Sequence, residues 1–203
     1  MIQQIKYTSH ILDVFKHAIP VDDDYTMIPL CKVHASNVVV LEALTSWRNE
    51  HVKVYPTQFT ATYASTKNWV ENILIPNNNR ILFLVLDRYG NLSGHIGLAN
   101  CMSLEKSLEI DNVLKIDKGA KGLFSQVIQT LMSWGTKELA AKSFFLRVFQ
   151  ENKNAIKFYQ KNGFEIVQKI PLKKTINGGM TLYEEILDKE TKSDKYFIRM
   201  ESK

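Results

Sequence analysis

An α/β fold, built on a central mixed and mostly antiparallel sheet flanked by helices, is what this sequence predicts, and three observations predict it. Residues 81–86 are an unbroken apolar run, Asp87 to Asn91 is a polar turn holding Gly90, and residues 93–98 return as a second apolar run, which reads as an antiparallel hairpin. Residues 123–138 repeat Leu123, Val127 and Leu131 at i, i+4 spacing, with Trp134 following on the same face, which reads as a helix on a core. The order hairpin, strand, glycine loop, helix, strand, helix, strand then interleaves both element types around one sheet.

Taken from the N-terminus, residues 1–29 read as an extension packed on the domain, with an amphipathic helix over 11–18 and an acidic turn over 21–25. Residues 30–33 read as a strand and 35–51 as a helix. A second helix starts near Ser65 or Thr66 and ends at Pro76 and the three asparagines after it. After the hairpin, residues 108–114 form a third strand and 118–122 a loop with Gly119 and Gly122. The long helix follows, then a strand over 143–149. Asn152 stands at an N-cap position, Ala155, Ile156 and Tyr159 recur at helical spacing, and Gly163 suits the left-handed residue that stops a helix. Phe164 opens another strand. Beyond Pro171 the sequence gives a turn at Asn177, Gly178 and Gly179, a strand over 180–184, and a lysine-rich charged tail over 187–203. The main domain is thus expected over residues 30–186.

Composition narrows the function classes. At 203 residues, 45% hydrophobic and 10% aromatic, the chain suits one well-buried domain. No apolar run approaches the ~20 residues of a membrane span, and the first residues lack a secretory leader's apolar core. The expected location is cytoplasmic. Cys31 and Cys101 are too few for a disulfide framework, and His10, His17, His34, His51 and His95 have no paired metal-ligand spacing, so no metal is expected. A net charge of +5 admits an anionic ligand, but the lysines are spread rather than gathered in the stripe of a nucleic-acid binder.

The segment from Glu151 to Phe164, with Asn152, Ala155 and Tyr159 before Gly163-Phe164, resembles the signature of the GNAT superfamily of acetyl-coenzyme A dependent N-acetyltransferases. The resemblance covers roughly residues 30–185 and is most specific over 81–164. It implies a sheet splayed at the acetyl-CoA site, with acetyl-CoA as cosubstrate and a primary amine as acceptor. Main-chain groups of Asn112, Val113 and Leu114 would bind the pantetheine arm, and the N–H of Val113 would hold the oxyanion. Lys121, Gly122, Leu123 and Phe124, at a helix N-terminus, would meet the pyrophosphate. Asn152, Ala155 and Phe158 would complete the cofactor site. The loop departs from the family pattern, since Gly119 replaces the leading Arg or Gln and Phe124 the final small residue.

Tyr159 matches the tyrosine that protonates the departing thiolate, a task suited to a phenol still protonated at neutral pH. The attacking amine must lose a proton, and Glu109, Asp111 and His95 are the candidates to take it: the two carboxylates share a strand face, and the imidazole sits on the neighbouring strand. Segments 47–49 and 66–69 resemble the branch holding ribosomal-protein N-terminal acetyltransferases and amino-sugar acetyltransferases. A nucleotide-linked amino sugar is the favoured acceptor, protein N-terminal acetylation the runner-up, and a non-catalytic coenzyme A binding module the third reading. A homodimer is a possible assembly.

Overall fold

In the computed structural model, which describes residues 1–116, 120–186, 188 and 192–203, the chain opens with short helices α1 (Ile2–Lys6) and α2 (Ile11–Val14) and a 3-10 turn over Phe15–His17. Strands β1 (Ile19–Pro20) and β2 (Tyr25–Pro29) follow, then a 3-10 turn over Lys32–Ser36 and helix α3 (Val38–Glu50). Asn37 caps α3, its side chain accepting from Val40 N at 3.1 Å. The expected strand over 30–33 therefore lies earlier in the chain. Pro29 cannot donate to a ladder, so β2 ends there, and Cys31 already accepts the first bond of the 3-10 turn.

Strand β3 (Thr57–Gln58) precedes helix α4 (Tyr63–Asn68), which begins sooner than the sequence suggested because Thr62 and Ser65 form a reciprocal cap. The helix continues as a π-helical turn over Trp69–Leu74. The expected hairpin is β4 (Arg80–Asp87) with β5 (Leu92–Ala99), and β6 (Ser107–Lys115) pairs antiparallel with β5. Helix α5 (Leu123–Leu139) buries Leu123, Val127, Ile128 and Leu131, and Trp134 meets Phe83 edge-on at 5.1 Å. Strand β7 (Ser143–Phe149), helix α6 (Lys153–Lys161), the long β8 (Phe164–Asn177), β9 (Met180–Glu185) and β10 (Tyr196–Ser202) complete the chain.

The strand order is β1-β2-β4-β5-β6-β7-β10-β8-β9-β3, antiparallel throughout except for β6 and β7. Two segments assigned to the ends of the chain belong to this sheet. In the first, β2 pairs with β4 from Tyr25↔Asp87 to Pro29↔Phe83, and Ile2, Ile5, Val14, Met27 and Ile28 are buried with the core. In the second, β10 inserts between β7 and β8 with Phe197, Ile198 and Met200 buried, although lysine content gave residues 187–203 the look of a solvated tail. Alternate charged residues of β10 reach the outer face, where Arg199 Nε donates to Glu201 at 2.9 Å.

Lys6 is fully buried and fastens the N-terminus. Its Nζ donates to the carbonyls of Leu74, of Asn77 at 2.6 Å and of Arg80 at 3.0 Å, which closes the end of the π-helical turn onto β4. At the far end of the sheet β3 pairs with β9, and Thr57 O accepts from Arg48 of α3 at 2.6 Å. The last strand in the order is thereby tied to α3. No helix among the described residues is long and apolar enough to cross a membrane.

Candidate active site

The parallel ladder between β6 and β7 has only three rungs, Ser107↔Ser143, Leu108↔Phe144 and Glu109↔Phe145, although β6 runs on to Lys115 and β7 to Phe149. Past Glu109 the two strands part. On its other edge β7 keeps its ladder, residues 145–149 pairing with β10. A gap between strands leaves main-chain donors and acceptors facing each other without a ladder, which an extended ligand with amide groups can fill.

Strand β6 also carries a bulge at the mouth of this gap. His95 pairs with Leu114 but Gly97 with Asp111, so β6 has one extra residue there, and Asn112 takes the left-handed φ of 49°. Asparagine tolerates that region because its side chain bonds locally. Here Asp111 Oδ1 accepts from Asn112 N at 2.7 Å, and Oδ2 from Asn112 Nδ2 at 3.0 Å. Gly94, with φ +148°, faces the bulged strand so closely that a Cβ would lie 2.2 Å from Leu114 O.

A cavity of about 440 Å³ opens beside the bulge, lined by Asp111, Asn112 and His95 together with Arg48, Tyr55, Phe59, Trp69 and Arg80. His95 is buried, its ring 5.8 Å from that of Trp47, and Nδ1 lies 2.6 Å from Asn112 O. A carbonyl only accepts, so Nδ1 carries the proton and Nε2 keeps its lone pair. Burial pushes the His95 pKa down to about 4, the Asn112 bond and the Asp111 charge opposing. The ring is therefore neutral at neutral pH. Asp111 is held by Arg80, Nη2 to Oδ2 at 2.9 Å.

The three proton-acceptor candidates are not equivalent in space. Asp111 and His95 both line the cavity, whereas Glu109 is bound on two oxygens by Arg147, Nε to Oε1 at 2.7 Å and Nη2 to Oε2 at 2.8 Å. Arg147 Nη1 also donates to Glu185. Burial raises the Glu109 pKa while Arg147 opposes the rise. This cluster staples β6 to β7 at the point where their ladder stops.

Tyr159 is buried on α6, packed against Phe158 and Phe164 with ring centroids at 5.4 and 6.1 Å. Burial, and after it the charge of Asp111, raise its pKa, which keeps the phenol protonated and places it within electrostatic reach of the cavity's carboxylate. Asn152 caps α6, accepting from Ala155 N at 3.2 Å. At the other helix, Gly122 is the N-cap of α5 with φ 81° and no side-chain cap, so among the described residues the first-turn N–H groups have no side-chain acceptor. Leu123 and Phe124 turn their side chains into the core, which leaves their backbone N–H groups, not the side chains, for an anion. Lys121 stands one residue before the cap, and Lys115 Nζ donates to Ala120 O. Asp117, Lys118 and Gly119 lie outside the described residues. Among the described residues no group of three His, Cys, Asp or Glu side chains is placed to hold a metal.

Sequence reasoning singled out segments 47–49 and 66–69 but missed Tyr55, Phe59 and Arg80 on the cavity wall. The first two sit in a loop with no periodicity. That loop is fixed by Asn49, whose Oδ1 accepts from Ala61 N at 2.7 Å and whose Nδ2 donates to Ala61 O at 2.9 Å. Arg80 left one signal, a lone charge opening the apolar run of β4.

Known proteins bear on this arrangement in three ways. No curated protein matches the chain by sequence. Among solved structures, a spermidine N-acetyltransferase from Vibrio cholerae, in complex with CoA and spermine, aligns with a TM-score of 0.68 at 17% identity over 89% of this chain and 95% of that one. The ribosomal L7/L12 alpha-N-protein acetyltransferase RimL aligns with a TM-score of 0.67 at 15% identity over 91% and 92%. At such identity both likenesses concern the fold. The model of the acetyltransferase (GNAT) domain matches residues 41–187, a span that includes the parted strands, the bulge, the cavity and the Asn152 to Gly163 helix, and the chain belongs to that family of acetyl-CoA-dependent N-acetyltransferases.

Proposed function

We propose that this N-acetyltransferase moves the acetyl group by direct attack of a primary amine held in the cavity beside the β6 bulge, with the thioester lying in the gap between β6 and β7. The observation that carries the reading is the meeting of gap and cavity on β6, whose ladder to β7 stops at Glu109 and whose Asp111 and Asn112, just beyond, line the cavity. The amine nitrogen attacks the thioester carbonyl carbon, and the N–H of Val113 holds the oxyanion. As the tetrahedral adduct forms, its nitrogen becomes strongly acidic, so even the weakly basic Nε2 of His95 can take the proton. Asp111 is the alternative acceptor, and Glu109 ranks third because Arg147 occupies both its oxygens. The C–S bond then breaks, and Tyr159 gives its proton to the departing thiolate.

Acetyl-CoA fits the residues present. The uncapped start of α5 with Lys121 beside it suits its pyrophosphate, and Asn112, Val113 and Leu114 offer main-chain groups to its pantetheine. A cavity of about 440 Å³ favours a small acceptor, with a nucleotide-linked amino sugar as the leading class. The likeness to RimL keeps a protein N-terminus as the second. The test replaces Tyr159 with Phe. Thiol release should fall by about 10²-fold or more, while the rise of the unfolding midpoint with acetyl-CoA, about 2.7 kcal/mol at 100 times the dissociation constant, should persist. Full turnover in the variant removes Tyr159 from the reaction, and no midpoint shift in wild type removes the cofactor site.

A further inference from the structure

The cavity wall carries more positive than negative charge. Its charged groups are Arg48, Arg80 and Asp111, and the single carboxylate is already paired with Arg80 at 2.9 Å. His95 adds no charge at neutral pH. Arg48 has no carboxylate within ion-pair distance among the described residues; its Nη2 donates to Thr57 O at 2.6 Å, and the Tyr55 phenol is its other polar neighbour. Its Nε is buried and has no hydrogen-bond partner among the described residues. The guanidinium carbon lies 3.9 Å from the centroid of the Tyr55 ring and 5.0 Å from that of Phe59. Such cation–π contacts hold the charge in place before any ligand arrives.

A desolvated guanidinium with unfilled donors costs the free protein stability, and a two-oxygen anion is the ligand that fills them. We infer that the amine acceptor also carries an anionic group, a carboxylate or a phosphate, and that Arg48 binds it and thereby sets acceptor specificity. The inference rests on the acceptor-cavity reading above. Phe59, Trp69 and Leu82 give the wall apolar surface and Thr57, Ser65 and Asn68 give it polar groups, so the body between amine and anion has both an apolar face and hydrogen-bonding groups. A polyamine fits poorly: it would bring several positive charges to a wall whose one carboxylate is taken. The same excess of positive charge disfavours the ammonium form of the acceptor, which leaves the neutral amine that attack requires.

Matched acceptor pairs test this. Thiol release is followed for a phosphorylated amino sugar against its dephosphorylated form, for phenylalanine against phenylalaninamide, and for spermidine, with wild type, Arg48→Gln and Arg48→Lys. In wild type the anionic member of one pair should exceed its neutral partner about tenfold or more in kcat/KM, and the pair showing this tells phosphate from carboxylate. In Arg48→Gln that preference should collapse through KM rather than kcat, and Arg48→Lys should restore part of it. Preference for spermidine or for the neutral members, or a preference that survives Arg48→Gln, overturns the inference while leaving acetyl transfer intact. Should none of these amines turn over, the unfolding midpoint titrated with pyrophosphate and with phenylacetate gives the readout. A rise in wild type that is absent from Arg48→Gln supports the assignment, and equal shifts or none overturn it. Failure of the acetyl-CoA midpoint shift is a separate result and strikes the catalytic reading instead.

Discussion

Replacing His95 with Asn should make folding stability less sensitive to acid. The amide nitrogen of Asn occupies the place of Nδ1 and can still donate to Asn112 O, so the variant keeps the bond and loses only the titrating ring. Burial holds the folded His95 pKa near 4, below the ordinary 6.5, with Asp111 and the Asn112 bond pulling upward and Arg48 and His51 downward. The unfolded chain takes up this proton below pH 6.5, whereas the folded chain resists it until about pH 4. Stability from the neutral ring is therefore complete above pH 6.5 and is lost as pH falls toward 4. For a side chain this buried the whole loss is about 3 kcal/mol, most of which falls between pH 7 and pH 4.5. Urea unfolding followed by tryptophan fluorescence at both pH values measures it. The variant has its own offset from the smaller side chain, but the change between the two pH values should be smaller than in wild type by about 2–3 kcal/mol. Other groups cancel in the difference, His34 included, whose pKa burial also lowers. Equal acid sensitivity in the two proteins, within about 0.5 kcal/mol, would refute the reasoning.

Lys6→Met should cost about 2–3 kcal/mol, because it leaves the carbonyls of Leu74, Asn77 and Arg80 buried without their shared donor; denaturant midpoints measure this, and a loss under about 0.5 kcal/mol would show that water replaces the ammonium. Met200→Ala should cost about 2–5 kcal/mol, as expected for a fully buried side chain of a central strand, and a surface-like value would place β10 outside the core.

What the sequence disclosed were elements whose signal is local. The β4–β5 hairpin has its turn and both apolar runs within twenty residues, α5 repeats its apolar face over four turns, and α6 carries its own cap and stop. What it hid depends on distant partners. Phe197, Ile198 and Met200 look like scattered apolar residues in a basic tail until β7 and β8 are placed on either side of them. Likewise Tyr25–Pro29 lies within a segment marked by an acidic turn, and only pairing with β4 makes a strand of it. The site divides along the same line. Tyr159 and Asn152 came from one helix, whereas the partnership of Glu109 with Arg147 spans two strands and was invisible. The β6 bulge joins residues whose spacing in the chain says nothing of a kink, and the glycine that leaves room for it, Gly94 opposite Leu114 O, lies on the neighbouring strand.

That bulge explains how one strand serves two ligands. A regular β6 would turn alternate side chains to fixed faces along its length, and its main chain would lie parallel to β7 without a kink. One extra residue breaks the alternation at Asn112: Asp111 before it faces the cavity, while beyond it the main chain of Val113 and Leu114 runs on along the gap. The left-handed backbone at Asn112 costs about 1–2 kcal/mol, and the compensation is drawn from groups of the site itself. Asp111 accepts from the Asn112 backbone and side chain, Arg80 anchors Asp111, and His95 returns its N–H to the Asn112 carbonyl. The interactions that stabilise the kink therefore also set the tautomer of His95 and the orientation of Asp111. Positioning of the proposed proton acceptors and the course of β6 along the proposed cofactor gap thus depend on one set of interactions, and a change that straightens β6 disturbs both.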